Sequence, residues 1–158
     1  MSFDITQFHL FFQVLLAAFL GALIGFEREH KKKEAGLRTF SLVALGSCFF
    51  TVVAVYFSSA QELHAFVQID PGRVVQAVAV GIGFIGSGLI IQRKAQVEGL
   101  TTAAALWAAA AIGIGVGVKL YTLSILATLL TIIVLGSLRA LELGVFGEEK
   151  EQKTNHES

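Results

Sequence analysis

Charged side chains are scarce in this sequence. They make up 15% of the 158 residues, and the formal net charge is zero, whereas an ordinary soluble domain carries roughly 25% charged residues. The zero net charge gives no electrostatic support for a nucleic-acid partner. The single cysteine, Cys48, excludes an intrachain disulfide. The opening MSFDITQFHL lacks the basic segment of a cleavable signal peptide, so none is predicted.

The chain is rich in long apolar runs. Five runs of 18 or 19 residues contain no Asp, Glu, Lys or Arg: 8–26, 39–57, 74–91, 100–118 and 121–138. As helices they would each be about 27 Å long, close to the thickness of the hydrocarbon layer. The sequence predicts an all-α integral membrane protein, a bundle of five transmembrane helices over residues 1–141. Residues 142–158 are predicted to form a polar, partly disordered tail.

The basic residues predict the orientation of this bundle. Ten of the twelve lie in the first loop, the third loop or the tail, and only Arg73 and Lys119 lie on the other side. Basic residues are retained in the cytoplasm. The N-terminus is therefore predicted outside and the C-terminus in the cytoplasm.

Small residues predict where the helices touch, because membrane helices associate by close packing. The third and fourth helices have small residues almost all round and are therefore expected at the centre of the bundle, and the fifth is expected to face lipid. Trp107 is expected to be a packing anchor. The glycines assigned to helix contacts are Gly21, Gly25, Gly81, Gly83, Gly86, Gly88, Gly113 and Gly117.

The sequence carries no complete cofactor motif and no catalytic constellation. Gly81, Gly83 and Gly86 fit G-x-G-x-x-G, but a dinucleotide site needs a preceding strand and an acidic residue about 20 positions later. The motif lies inside an apolar run, and position 106 has no acid nearby. The four histidines have no metal-ligand spacing, and no nucleophile–base pair occurs. We expect no catalytic residues, no metal site and no cofactor.

A polar cluster is predicted at the cytoplasmic face. Arg28 shares a helical face with Gly21 and Gly25, so it should point at a neighbouring helix and need an anionic or carbonyl partner. The candidate members are Glu27, Arg28, Arg38, Glu98, Thr101 and Thr102. Two interpretations stay open: a structural belt of ion pairs, or a binding site for an ion, a lipid headgroup or a partner.

Two further features concern the outer face and internal symmetry. Asp70 followed by proline predicts an N-cap for the third helix, although Asp70 could also pair with Arg73 or bind a cation weakly. The segments AGLRT (35–39) and EGLTT (98–102) share G-L-x-T, which suggests a parallel repeat of two helix pairs. Such a repeat favours a transporter or channel for an ion or lipid as the alternative function.

Four motifs together carry a family resemblance. GALIGFERE (21–29), AGLRTFSLVALGSCFF (35–50), DPGRVVQAVAVGIGFIGSG (70–88) and GLTTAAALWAAAAIGIGVG (99–117) resemble the MgtC/SapB family of bacterial inner-membrane proteins. The resemblance implies a five-helix membrane unit with a cytoplasmic C-terminus. The matching positions are Glu27, Arg28, Gly36, Leu37, Arg38, Thr39, Asp70, Arg73, Gly99, Thr101, Thr102 and Trp107, so Thr39 joins the cytoplasmic cluster.

The resemblance also implies a biological setting. Members are associated with growth at low magnesium and, in pathogens, with survival inside host cells, and some act on the membrane sector of the F-type ATP synthase. We therefore expect a non-enzymatic regulatory or binding role in magnesium or ion homeostasis and stress adaptation. A homo-oligomer or such a larger complex is the expected partner, beside the lipid bilayer. Virulence-type members carry a soluble C-terminal domain, and the chain is expected to be the short form without it.

Overall fold

The computed structural model describes residues 5–59, 70–93 and 96–145, and it is mostly helical. Five helices and one hairpin lie in these ranges: α1 (Ile5–His30), α2 (Leu37–Ser59), α3 (Pro71–Ser87), β1 (Ile91–Arg93), β2 (Gln96–Glu98), α4 (Leu100–Gly117) and α5 (Tyr121–Val145). Each predicted apolar run thus contains a helix. The first four residues of the predicted tail belong to α5, and residues 146–158 lie outside the described ranges.

Three of these helices are long and apolar enough to cross a membrane: Gln7–His30, Leu37–Ser59 and Leu100–Gly117. Large apolar side chains cover the outside of the bundle, among them Phe19, Phe49 and Leu130, which are all more than half exposed. A soluble monomer rarely exposes apolar surface on this scale. The described part of the chain is therefore built to face lipid.

The chain between α3 and α4 differs from the prediction. The third run was expected to stay helical to Ile91, but α3 ends at Ser87 and residues 91–93 pair antiparallel with residues 96–98. The all-α prediction is wrong for this hairpin. Gly99 directly follows β2 and has a φ of 84°. A Cβ at this position would collide with the carbonyl oxygen of Leu89. Only glycine fits that left-handed position without strain.

The centre of the bundle is α2, held between α1 and α4. A Cβ on Gly21 of α1 would overlap the carbonyl oxygen of Phe40, and a Cβ on Gly113 of α4 would overlap that of Ala44. A Cβ on Gly117 would lie 2.7 Å from Thr51 Cβ. These three positions bring helix backbones close together, which is how membrane helices gain packing energy.

The third helix is not central, contrary to the prediction. Cβ atoms built on Gly81 and Gly83 would meet nothing within 4 Å, and Phe84 of the same helix is 82% exposed. Within the described residues, α3 contacts the bundle mainly through Ile82 and Gly86, which are buried. The Gly86 Cβ would lie 3.4 Å from Ala103 of α4, whereas Gly88 would meet only the carbonyl oxygen of Ile85 in its own helix.

Two side-chain predictions also have clear outcomes. Trp107 is 56% exposed, so it does not anchor packing within the described chain. Five residues of α5 were expected to face lipid. Leu126, Leu129, Leu130 and Ile133 are exposed as expected, but Ile132 is half-buried against the core, and Leu135 is buried. Trp107 faces outward because the opposite side of α4 is filled by its alanines and glycines, several of which are buried.

Candidate functional site

The most unusual side chain in the described bundle is a buried arginine. Arg28, in the last turn of α1, is 2% exposed and is the largest fully buried residue. Its Nε and Nη2 donate to the two carboxylate oxygens of Glu27, the latter at 2.9 Å. Nη2 also donates to the carbonyl oxygen of Leu135 in α5 at 3.3 Å. The expected anionic or carbonyl partner of Arg28 is confirmed, since it has both kinds.

A second cation converges on the same groups. Lys31 Nζ lies 2.6 Å from Glu27 Oε1 and 3.4 Å from the Leu135 carbonyl oxygen. One carboxylate therefore faces two cations, which leaves this group with a net positive charge. A buried charge is tolerated only when it is paired and hydrogen-bonded. We call Glu27, Arg28, Lys31 and the Leu135 carbonyl the arginine cluster.

A further acid, Glu29, ties the end of α1 to the start of α2. Glu29 Oε2 accepts a hydrogen bond from the backbone N–H of Leu37 at 2.9 Å, which satisfies one free donor at the start of α2. A Cβ on Gly36 would lie 2.6 Å from that same oxygen. A Cβ on Gly25 would lie 2.6 Å from Leu37 Cα. The motifs GALIGFERE and AGLRT therefore pack directly on each other.

Glu34 makes the link to α4. The Thr102 hydroxyl, which is buried, donates to Glu34 Oε2 at 2.8 Å. The pKa of Glu34 is lowered from its ordinary value of 4.5, first by its own backbone N–H and then by this hydroxyl, with smaller effects from Lys33 and Arg28. Glu34 was not among the predicted residues, because no local pattern shows that the loop would meet α4.

The other predicted members do not join the arginine cluster. Arg38 is exposed and forms no ion pair within the described residues; with the half-buried Thr39 it lines a cleft between α2 and α3. Thr101 is exposed at the start of α4. Glu98 is exposed at the end of β2, where it stands opposite Ile91 in the hairpin. Of the predicted set, Glu27 and Arg28 thus belong to the arginine cluster, Thr102 to the contact with Glu34, and Arg38 and Thr39 to the cleft. Thr101 and Glu98 belong to none of these three.

At the other end of α3, the predicted cap is confirmed. Asp70 accepts a hydrogen bond from the backbone N–H of Gly72 at 2.8 Å, and Pro71 follows it as the first helical residue. Asp70 and Arg73, whose side chains are both described, do not form an ion pair; the two described ion pairs involve Glu27. The same ranges hold no group of three or more His, Cys, Asp or Glu placed to bind a metal ion.

Sequence reasoning also missed a polar side chain inside the first helix. Gln13 is 3% exposed, and its Nε2 donates to the carbonyl oxygen of Val116 in α4 at 3.2 Å. Its Oε1 is buried with no hydrogen-bond partner. The side-chain amide carries no charge, so the charge pattern of the sequence does not indicate it. It is the kind of group that signals a functional position inside a membrane helix.

These features define a helical membrane protein with a buried, ion-paired arginine at one end of its bundle. The sequence model of the MgtC family matches residues 14–143. The chain belongs to the MgtC family.

Three relatives illustrate the similarity. The chain is 40% identical over 140 residues to protein SrpB of Synechococcus elongatus, and the match covers 83% of this chain and 75% of SrpB. It is 42% identical to the putative magnesium transporter YhiD of Escherichia coli K12, covering 78% of this chain and 57% of YhiD. It is 41% identical to protein MgtC of Brucella abortus, covering 79% and 49%. The chain thus spans only about half the length of YhiD and MgtC.

No solved structure matches this chain.

Proposed function

We propose that this chain is a multi-pass protein of the bacterial inner membrane that acts in magnesium homeostasis by binding and regulation, without catalysing a reaction. All five helices cross the membrane, with the N-terminus outside and the C-terminus in the cytoplasm. The positions of the basic residues support this orientation, because ten of the twelve lie on one side. The names of the relatives MgtC and putative magnesium transporter YhiD support the link to magnesium.

The observation that carries the proposal is the arginine cluster. Arg28 connects α1 to α5 through the Leu135 carbonyl, and Glu34 connects the adjoining loop to α4 through Thr102. Three helices and a loop are therefore held together by a few charge-assisted contacts at one end of the bundle. Such contacts are sensitive to the ions and charged partners around them, which suits a regulatory surface.

The binding partner that we propose is another membrane protein, either a second copy of this chain or a larger complex. The membrane sector of the F-type ATP synthase is the larger complex that the family resemblance suggests. Glu27 and Lys31 remain partly exposed beside the buried Arg28, so the rim of the cluster is accessible to such a partner.

Arg28 provides the test. Arg28→Gln and Arg28→Lys are expressed in a bacterial strain that lacks its own family member, and growth is measured at limiting and at ample magnesium. We expect Arg28→Gln to abolish the growth benefit at limiting magnesium, and Arg28→Lys to retain part of it because the charge remains. The amount of protein in the membrane and the proteins that co-purify with it are measured for each variant.

Lys32→Gln is the matched control. Lys32 lies in the loop directly after α1 and is exposed, and its backbone N–H donates to the backbone carbonyl oxygen of Glu29, so its side chain is not involved. The substitution Lys32→Gln removes one positive charge, as Arg28→Gln does, but changes no residue of the arginine cluster. Normal growth and unchanged partners with Arg28→Gln at normal membrane levels would contradict a functional role for the cluster.

Transport of an ion or lipid is the second candidate function, and Gln13 favours it. A buried amide oxygen without a partner inside a membrane helix offers a ligand for a passing cation or a water molecule. In reconstituted liposomes, transport predicts a magnesium, proton or lipid flux above that of empty liposomes, reduced by Gln13→Leu. Flux at the level of empty liposomes would exclude this candidate.

A further inference from the structure

A large cleft separates α2 from α3. It has a volume of about 950 Å³, at the upper end of the range for small-molecule sites, roughly 300–1,000 Å³. Its walls are mostly apolar, and Gly46 of α2 and Gly81 of α3 both line it. A Cβ on either glycine would meet nothing within 4 Å. The cleft is therefore open space between two helices that face lipid.

The two helices run antiparallel, so the cleft extends along the bundle. Gly86 near the end of α3 packs on Ala103 of α4, and Thr102 beside it bonds to Glu34 in the loop before α2. The end of α3 thus lies at the start of α2. The lining runs from residue 38 to 50 on α2 and from 73 to 85 on α3, which is roughly 18 Å along each helix.

Each end of the cleft carries an arginine. Arg38 and Arg73 line it at opposite ends, and no Asp or Glu is among the lining residues. Both guanidinium groups are exposed and have no ion-pair partner within the described ranges. An apolar channel with a cation at its mouth is complementary to a molecule with an anionic head and a hydrocarbon tail.

We propose that the cleft binds one anionic phospholipid, with its phosphate at Arg38 and an acyl chain lying between α2 and α3. Arg38 suits the phosphate better than Arg73 because the half-buried Thr39 adds a hydroxyl donor at that end of the cleft. At the other end, the carboxylate of Asp70 stands three residues from Arg73 on the same helix end and weakens the attraction for an anion. Arginine suits phosphate because its planar guanidinium can donate two parallel hydrogen bonds.

A second copy of the chain fits the cleft less well. In a two-fold dimer about an axis along the membrane normal, each residue lies at the same depth as its copy, and residues close to the axis meet their own copies. Arg38 would then approach the other Arg38, and Arg73 the other Arg73, with no acid in the cleft to separate them. Like charges disfavour that contact, whereas a phospholipid neutralises one of them.

Native mass spectrometry of the full chain tests this site. The protein, in detergent, is mixed with equal amounts of phosphatidylglycerol and phosphatidylcholine, and the bound lipid is counted. We expect about a tenfold preference for phosphatidylglycerol, because the choline ammonium of phosphatidylcholine offsets the charge of its phosphate and weakens the contact with Arg38. Arg38→Gln should remove the preference, while Gly81→Leu, which fills the cleft, should lower the binding of both lipids.

Two controls define the outcomes that would overturn the inference. Lys32→Gln removes a positive charge outside the cleft and should leave the preference unchanged; a loss equal to that of Arg38→Gln would show only general attraction. Inorganic phosphate should not displace phosphatidylglycerol; displacement at millimolar phosphate would contradict a site that holds the acyl chain. A dimer without bound lipid that Gly81→Leu dissociates would show that a second copy occupies the cleft. The lipid experiment involves neither magnesium nor a growth measurement. A negative result would therefore overturn the lipid site without contradicting the proposed function.

Discussion

The two sides of α2 are built from the same residue types in opposite ways. Toward α1, Gly21 brings the two backbones into contact, and Arg28 of that helix is buried, paired with Glu27 and bonded to the Leu135 carbonyl of α5. Toward α3, Gly81 faces open space, and Arg38 is exposed without an ion-pair partner in the described residues. A glycine or an arginine in a membrane helix therefore does not by itself indicate a contact. What faces it decides its role.

The largest difference between the two sides should be electrostatic. Glu27→Gln removes the carboxylate that faces both Arg28 and Lys31 and leaves a buried cation without its counter-ion. We expect a loss of about 3–5 kcal/mol in the free energy of unfolding, measured by denaturant unfolding in detergent. Arg38 lies on the side of α2 that faces α3. The free energy of unfolding of Arg38→Gln should stay within about 0.5 kcal/mol of the wild type. Similar losses of unfolding free energy in Glu27→Gln and Arg38→Gln would contradict an electrostatic difference between the two sides of α2.

A smaller difference should separate the glycines. Gly21→Ala places a methyl group against the carbonyl oxygen of Phe40, and we expect a loss of about 1–3 kcal/mol from overpacking. Gly81→Ala adds a methyl group in open space and should gain up to about 1 kcal/mol, because alanine favours the helix over glycine. Thermal unfolding in one detergent compares the pair. A loss at Gly81 as large as that at Gly21 would show that another chain covers α3.

The smallest effect concerns the acid sensitivity of the loop between α1 and α2, which contains Glu34. The lowered pKa of Glu34 means that its ionised form is favoured in the folded state. Its contribution to stability is present above the unfolded pKa, near 4.5, and is lost as the pH falls through the lower folded value. Thr102→Val removes one cause of the lowered pKa and should reduce the acid-dependent loss, as should Glu34→Gln. Unfolding curves from pH 6 to pH 3 provide the measurement, and unchanged pH dependence in both variants would contradict this assignment.

The sequence was sufficient to predict the helices, because long uncharged runs have few other stable structures. The start of α3 was also predictable, since Asp70 and Pro71 are local signals that act within one turn. The hairpin between α3 and α4 was missed because β1 and β2 have three residues each, too few for a clear alternation pattern. Local composition determines the helices, but short connections depend on what they join.

The candidate site was predictable only in part. The face shared by Gly21, Gly25 and Arg28 indicated that the arginine points inward, and Glu27 was its nearest acid. The Leu135 carbonyl and Glu34 could not be predicted, because both contacts join segments that are distant in the chain. Glycine content placed α3 at the centre, which was wrong: the same composition suits a tight interface and an open cleft.

The difference between the two sides of α2 can be measured most directly with the single tryptophan of the chain. In a Trp107→Phe background, a new tryptophan is placed at Gly81 in the cleft or at the fully buried Phe40, and each protein is reconstituted with lipids brominated on the acyl chains. Bromine quenches the fluorescence of an indole that acyl chains can reach. An open cleft predicts strong quenching for Gly81→Trp and weak quenching for Phe40→Trp in folded protein. Weak quenching at Gly81 would show that protein rather than lipid covers the third helix.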